Sequence, residues 1–223
     1  MSAFQLARII RRLKERVSTE DLGGEPVEQL VRRWSLLKSP ELKLEVREHD
    51  PRWATDFETE KHRLWVVLAD QELVDIQHIG STSIPPLPSK NVLDLAVAMR
   101  ALPCTEQQTE ALVRLGYQPY GPSPIDPDFS WFWRVTEGGQ GAFVVHVCGY
   151  QSPWFSYLVN FRDFMRVIPE ERQHYEDLKR ELAAVPDQSW LEYSIVKRAL
   201  ALRITARANA WAAKHALTGR KGD

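Results

Sequence analysis

The sequence predicts an α+β protein: a small mixed β-sheet flanked by helices, followed by a helical C-terminal part. Three observations carry this. Short apolar runs with strand periodicity recur in the middle of the chain, at Leu73–Ile79, Val92–Met99 and residues 143–147. Amphipathic stretches with i, i+3, i+4 spacing precede and separate them. From Pro153 onward the pattern is helical throughout.

In order, Phe4, Leu6, Ile9, Ile10, Leu13 and Val17 give a first helix whose other faces carry Arg8, Arg11, Arg12, Lys14 and Arg16. Gly23-Gly24 marks a turn. Val27, Leu30, Val31, Trp34 and Leu37 line a second helix over residues 27–38, closed by Ser39-Pro40. Two short helices with one apolar face each must dock on the rest of the chain or on another subunit, so an oligomer through residues 1–43 is one expectation. Their basic surface is read as solvated, although an Arg-rich amphipathic start also fits a transit peptide.

Leu44-Glu45-Val46 alternates like a strand, Asp50-Pro51-Arg52-Trp53 opens a helix to about Ala69, and a strand follows at Leu73–Ile79. Val92–Met99 reads as a buried strand, and residues 105–115 as a helix with Gly116 just past its end. Residues 117–142 are loop-rich, with Pro119, Pro122, Pro124, Pro127 and Gly138-Gly139, and a strand is expected over residues 131–135. Helices are then expected over residues 153–166, 169–184 and 189–215.

The chain has 223 residues, 43% of them hydrophobic, with eight Trp and eight Phe, enough to fill the core of one domain with an appendage. A formal net charge of −1 argues against attachment to nucleic acid by bulk charge. Two cysteines, Cys104 and Cys148, do not make a disulfide scaffold, and no apolar stretch reaches the length of a membrane span, so a cytoplasmic protein is expected.

The chemistry concentrates after the first strand. Gly80-Ser81 ends that run, and Asp94 lies 13 residues beyond Ser81, inside Val92–Met99. A Gly-Ser turn lets backbone N–H groups and a hydroxyl approach phosphate, while acids on the next strand can hold Mg²⁺; nucleotidyl-transferring enzymes of the polymerase-β-like superfamily use that arrangement. Their second acid, two residues on, is Ala96 here. With period 2, Val92, Asp94, Ala96 and Ala98 share one face. An unpaired buried acid costs on the order of 3–5 kcal/mol, so Asp94 needs a partner, either Mg²⁺ or a cationic side chain.

His146, in the strand over residues 143–147, could be a general base, a phosphate contact, or a core histidine bonded to Asp94. Gly80, Ser81 and Thr82 are candidate phosphate contacts, with a Gly turn capped by Ser as the alternative. Lys90, in the loop before the second strand, could reach the same phosphate. Arg162 and Arg166 share a helix face with Asp163 beside them, which suits either phosphate or a structural ion pair. Tyr175/Lys179 and Tyr193/Lys197 are i,i+4 pairs, of which Lys197 is the better site candidate. In the run from Phe129 to Arg134, alternation places Phe129, Trp131 and Trp133 in the core and Phe132 and Arg134 toward the cleft, where a base could stack.

These residues resemble the GrpB family: Asp50-Pro51-Arg52-Trp53, His78-Ile79-Gly80-Ser81-Thr82, Pro85, Leu87, Lys90, Asp94, His146, Phe161-Arg162-Asp163, Tyr175 with Lys179, and Tyr193 with Lys197, all in order over residues 44–200. The resemblance implies a nucleotidyltransferase-type fold in residues 44–223, with residues 1–43 as a helical extension. It also implies a nucleotide or phosphorylated ligand, Mg²⁺ held by Asp94, and nucleotidyl transfer with Asp94 and His146 as catalytic residues; the alternative is a binding or scaffold protein without metal chemistry. Some relatives are fused to dephospho-CoA kinase. Pro86 stands where the family has Gly, and Asn91 where it has Pro. A proline there removes a donor and fixes φ, which alters how the loop could cradle phosphate.

Overall fold

The computed structural model describes residues 2–36, 42–100, 102, 104–120 and 129–219. Two helices, α1 (Ala3–Lys14) and α2 (Val27–Ser35), come first, followed by α3 (Arg52–Leu68), β1 (Leu73–Ile79), β2 (Val92–Met99) and α4 (Glu106–Arg114). Strands β3 (Gln118–Pro119), β4 (Ser130–Val135) and β5 (Ala142–Gly149) precede α5 (Pro153–Val167), α6 (Pro169–Ala183) and α7 (Trp190–Gly219).

The helix ends follow local chemistry. Ser2 with Gln5 and Thr105 with Gln108 form capping boxes on α1 and α4. Ser152 caps α5, and Pro153 and Pro169 occupy first-turn positions where a missing N–H costs nothing. Gly116, with φ of +90°, ends α4 as the sequence predicts.

The sheet is mixed, in the order β1-β2-β5-β4-β3. The two central strands, β2 and β5, run parallel and pair Asp94 with Val144 and Ala96 with His146; the other pairings are antiparallel. One face carries Leu93, Leu95, Val97, Met99, Phe132, Val145 and Val147, packed with Trp53, Leu64 and Leu112 from α3 and α4. The opposite face carries Val92, Ala142, Val144, Cys148, Phe129 and Trp131, under Trp154, Leu158 and Trp190.

The N-terminal helices dock within the chain. Ile9, Leu13, Leu30, Val31 and Trp34 share one hydrophobic cluster with Leu182, Tyr193, Val196 and Ala199 of α6 and α7. Arg8 donates to Glu192 at 2.7 Å, tying α1 to the start of α7. Two differences from the sequence reading stand out. Residues 44–46 form no strand; only Arg47 bridges Ser89, and Leu44 and Val46 pack on the α1–α2 cluster instead. A two-residue edge strand, β3, pairs with β4 inside the stretch read as loop, where Pro119 is tolerated because edge strands need not donate. Pro122, Pro124, Pro127 and Ser39-Pro40 lie outside the described residues. Among those described, no helix is long and apolar enough to cross a membrane.

Candidate functional site

Asp94 sits near the start of β2 on the face covered by α5 and α7, paired in register with Ile79, so the end of β1 lies directly beside it. Gly80 follows with φ of +69° and ψ of −174°, a region essentially reserved for glycine. A Cβ built there would lie 2.3 Å from Asp94 Oδ2. The glycine turn and the acid are therefore in contact, and any side chain at position 80 would displace the carboxylate.

His146 meets Asp94 across the β2–β5 pair, its Nε2 lying 3.0 Å from Asp94 Oδ1. Behind it, Trp131 Nε1 donates to His146 Nδ1 at 2.7 Å. An indole N–H can only donate, so Nδ1 must accept, and the ring's proton lies on Nε2, directed at Asp94. This assigns His146 as an orienting donor to the carboxylate and leaves neither ring nitrogen free as a general base. Asp94 Oδ2 accepts no hydrogen bond among the described residues. Burial pushes the Asp94 carboxyl up, but the hydrogen bond from His146 and the charges around it, Lys197 and Lys90 among them, outweigh that and hold it below the usual carboxylate range.

Cations gather round this single acid. Lys90 Nζ donates to Ser194 Oγ at 2.8 Å and lies 3.5 Å from the Trp190 ring centroid. Burial pushes the Lys90 ammonium well below its ordinary range, and Lys197, Lys179 and Arg198 push the same way against Asp94. Lys179 is buried too, donating to the Pro88 carbonyl and to Ser89 Oγ. Arg198 lies between two indoles, its guanidinium carbon 5.2 Å from the Trp34 ring and 5.0 Å from the Trp131 ring. Trp190, Ser194 and Arg198 are spaced i, i+4, i+8, one stripe of α7 turned toward the sheet. Neither Lys197 nor Arg198 has a hydrogen bond or ion pair among the described residues. A cavity of about 260 Å³ adjoins at Lys90, lined also by Lys43, Arg47, Asn91, Gln140 and Trp190.

The structure brings Gly80, Lys90, Asp94, His146 and Lys197 into this region, with Ser81 at its edge. Three other candidates are spent elsewhere. Thr82 is buried, donating to the Val92 carbonyl at 3.2 Å and accepting from His78 Nε2 at 3.1 Å, so its hydroxyl staples the loop. Arg162 donates to Asp163, to Gln77 Oε1 and to the His78 carbonyl, clamping the end of β1. Arg134 corrects the alternation of β4: it and Phe132 face the α3–α4 side, where Arg134 donates to Glu60 at 2.6 Å, while Trp131 and Trp133 face the site side. The alternation itself holds, but both faces of β4 are buried, so hydrophobicity could not say which one meets Asp94.

Sequence reasoning missed Arg198, Trp34 and Ser194. The spacing of Ser194 and Arg198 four and eight residues after Trp190 was legible, but no motif marked it. Asn91, the departure from the family's proline, accepts from Trp53 Nε1 at 2.9 Å and donates to the Gln140 carbonyl, which joins the Asp-Pro-x-Trp helix to the loop before β2.

The residues present do not fit a resident Mg²⁺. That ion takes several oxygen ligands, and among the described residues no group of three His, Cys, Asp or Glu side chains could hold a metal. Ala96, fully buried, supplies no oxygen, Asp94 Oδ1 is already engaged, and the neighbouring charges are positive.

A family model described as GrpB protein matches residues 43–207. YqkA of Bacillus subtilis is 32% identical over 154 residues, covering 69% of this chain and only 44% of that protein. A UPF0157 protein of Streptomyces coelicolor is 32% identical over 184 residues, covering 78% of this chain and 90% of that one. The glutamate-rich protein GrpB of Alkalihalophilus pseudofirmus is 31% identical over 138 residues, 60% of this chain and 78% of its own length. Among solved structures, the conserved protein GrpB from Enterococcus faecalis superposes with a TM-score of 0.63 at 25% identity, over 75% of this chain and 99% of that one. With the family's residues in order along the chain and its fold reproduced, the protein belongs to the GrpB family.

Proposed function

We propose that this protein binds a small phosphorylated ligand on the sheet face where β2, β5 and α7 meet. The observation that carries this reading is charge imbalance: Lys90, Lys197 and Arg198 lie around one carboxylate, and among the described residues neither Lys197 nor Arg198 has a hydrogen bond or ion pair. Desolvated cations cost free energy unless something neutralises them, and a phosphate or diphosphate does so with charge-assisted hydrogen bonds. Asp94 Oδ2 then accepts a hydroxyl of the same ligand, so a phosphorylated compound with a nearby hydroxyl fits better than a simple anion. Nucleotides satisfy that description.

Calorimetry with inorganic pyrophosphate and with nucleoside triphosphates, each with and without Mg²⁺, tests it. Binding that weakens roughly ten- to a hundredfold in Lys197→Ala and Arg198→Ala is the expected result, from about 1.5–3 kcal/mol per charged hydrogen bond. No heat and no thermal stabilisation at millimolar ligand would refute it.

The cationic surround favours binding without metal-dependent transfer. Nucleotidyl transfer is the second reading, supported by the contact of the Gly80 turn with Asp94. Label passing from an α-labelled nucleoside triphosphate to an acceptor, and lost in Asp94→Ala, would establish it.

A further inference from the structure

One of the cations that feel Asp94 contacts a ring lying outside the span matched by the family model. Arg198 lies on α7, inside the matched span, but one of the two rings that sandwich it is Trp34 of α2, outside residues 43–207. We propose that the N-terminal helical pair completes the ligand site of this chain, with Trp34 as the positioning residue that fixes the Arg198 guanidinium against Trp131 beside the Asp94–His146 pair; this rests on the anion-binding reading above.

Four observations support it. The ring of Trp34 is only 3% exposed, and its indole N–H has no hydrogen-bond partner among the described residues, so it is the face of the ring that makes its contacts. Its position is fixed, because Leu30, Val31 and Trp34 are all buried against α7 and the Arg8–Glu192 pair locks α1 alongside. The second ring of the sandwich, Trp131, is the donor that sets the His146 tautomer, so Arg198 and the carboxylate are referenced to the same indole. Stacking between rings leaves the in-plane N–H groups of a guanidinium unspent, and those of Arg198 have no partner among the described residues. An arginine held rigidly with free donors loses little entropy when an anion arrives, whereas a free side chain would lose more.

The test uses the full chain with inorganic pyrophosphate as probe, and phenylglyoxal labelling of Arg198 read by peptide mass spectrometry. Trp34→Leu, which keeps the position apolar, is expected to weaken pyrophosphate binding roughly three- to thirtyfold, the range of one to two cation–π contacts. It is also expected to speed Arg198 labelling several-fold. Trp34→Phe, which keeps a smaller aromatic face, should lose less on both readouts and serves if the leucine chain does not fold. Unchanged affinity with unchanged labelling, or equal loss in Leu and Phe variants, overturns the proposal while leaving the anion site standing. If the unaltered chain binds no pyrophosphate, the parent reading fails, and the labelling still decides whether Trp34 holds Arg198.

Discussion

The two faces of the sheet each bury a cluster of charge, and they are built in opposite ways. On the α3–α4 side, Glu60 is 2% exposed and takes three donors: Tyr117 Oη at 2.8 Å, Arg134 at 2.6 Å and Arg63 at 3.0 Å. Its carboxylate is neutralised and its lone pairs are used, as a buried acid requires. On the α5–α7 side, Asp94 has one protein donor among the described residues, and cations outnumber it. Proteins tolerate such imbalance where a ligand completes the charge, and the proposed binding reading rests on that difference between the two faces. The burial of Tyr117 and the acid beside it push its phenol well above the ordinary range, so Tyr117 stays a hydrogen-bond donor to Glu60.

The largest effect expected of this contrast is at Glu60. Glu60→Ala strands the Arg134 guanidinium among apolar side chains and should cost about 3–5 kcal/mol in urea unfolding. A loss under 1 kcal/mol would erase the difference between the faces.

Next comes pH. His78 stacks on Phe57 with ring centroids 4.6 Å apart, and burial lowers its pKa to about 4 from an ordinary 6.5. In that window the unfolded chain binds the proton that the folded chain refuses, so stability falls as pH drops from about 6.5 to about 4, by about 3 kcal/mol for this one group. Unfolding free energies measured across that window should lose this slope in His78→Gln. A slope that persists undiminished assigns the acid sensitivity elsewhere.

Gly80→Ala places a methyl group against Asp94 Oδ2 in a backbone region alanine avoids, at a cost of about 1–3 kcal/mol. Ligand affinity should fall with it, because the carboxylate must move. Full affinity in a folded Gly80→Ala chain would dissociate the turn from the site.

The smaller effects have the opposite sign. Burial holds the Lys90 ammonium well below its ordinary pKa, so the folded state is penalised relative to the unfolded chain, and the penalty vanishes as pH rises toward the unfolded value. Lys90→Met should therefore raise stability by about 1 kcal/mol, seen as a Tm increase of about 2–4 °C, while anion binding is lost. Lys197→Ala, without a protein partner to strand, should change stability by less than about 0.5 kcal/mol. A destabilisation of the size expected at Glu60 would show that these cations are structural after all.

Particular residues show how far the sequence could be read. Asp94 was legible as a buried acid with a partner because it interrupts an apolar strand, and the Gly-Ser turn before it was legible as its neighbour. The capping residues, the helix-opening prolines and Gly116 marked their own element ends. Arg162 and Arg134 were not legible: an arginine near a site motif reads the same whether it meets a ligand, a carbonyl or Glu60, since all offer oxygen to a guanidinium. Arg198 gave no signal either, because its partners, Trp34 and Trp131, are 164 and 67 residues away in the sequence.

What the chain determined by itself was periodicity and local chemistry: which residues alternate across β2, where helices start, and that Asp94 and Gly80 share one end of the sheet. Those depend on neighbours a few residues apart, whose geometry the backbone fixes. Only the tertiary structure decided which face of β4 meets the acid, which of the described cations lack a hydrogen bond or ion pair, and that α2 brings Trp34 against Arg198. Each of these is a pairing across long sequence separations. It is set by which buried surfaces fit together, and a sequence pattern records the surfaces but not their match.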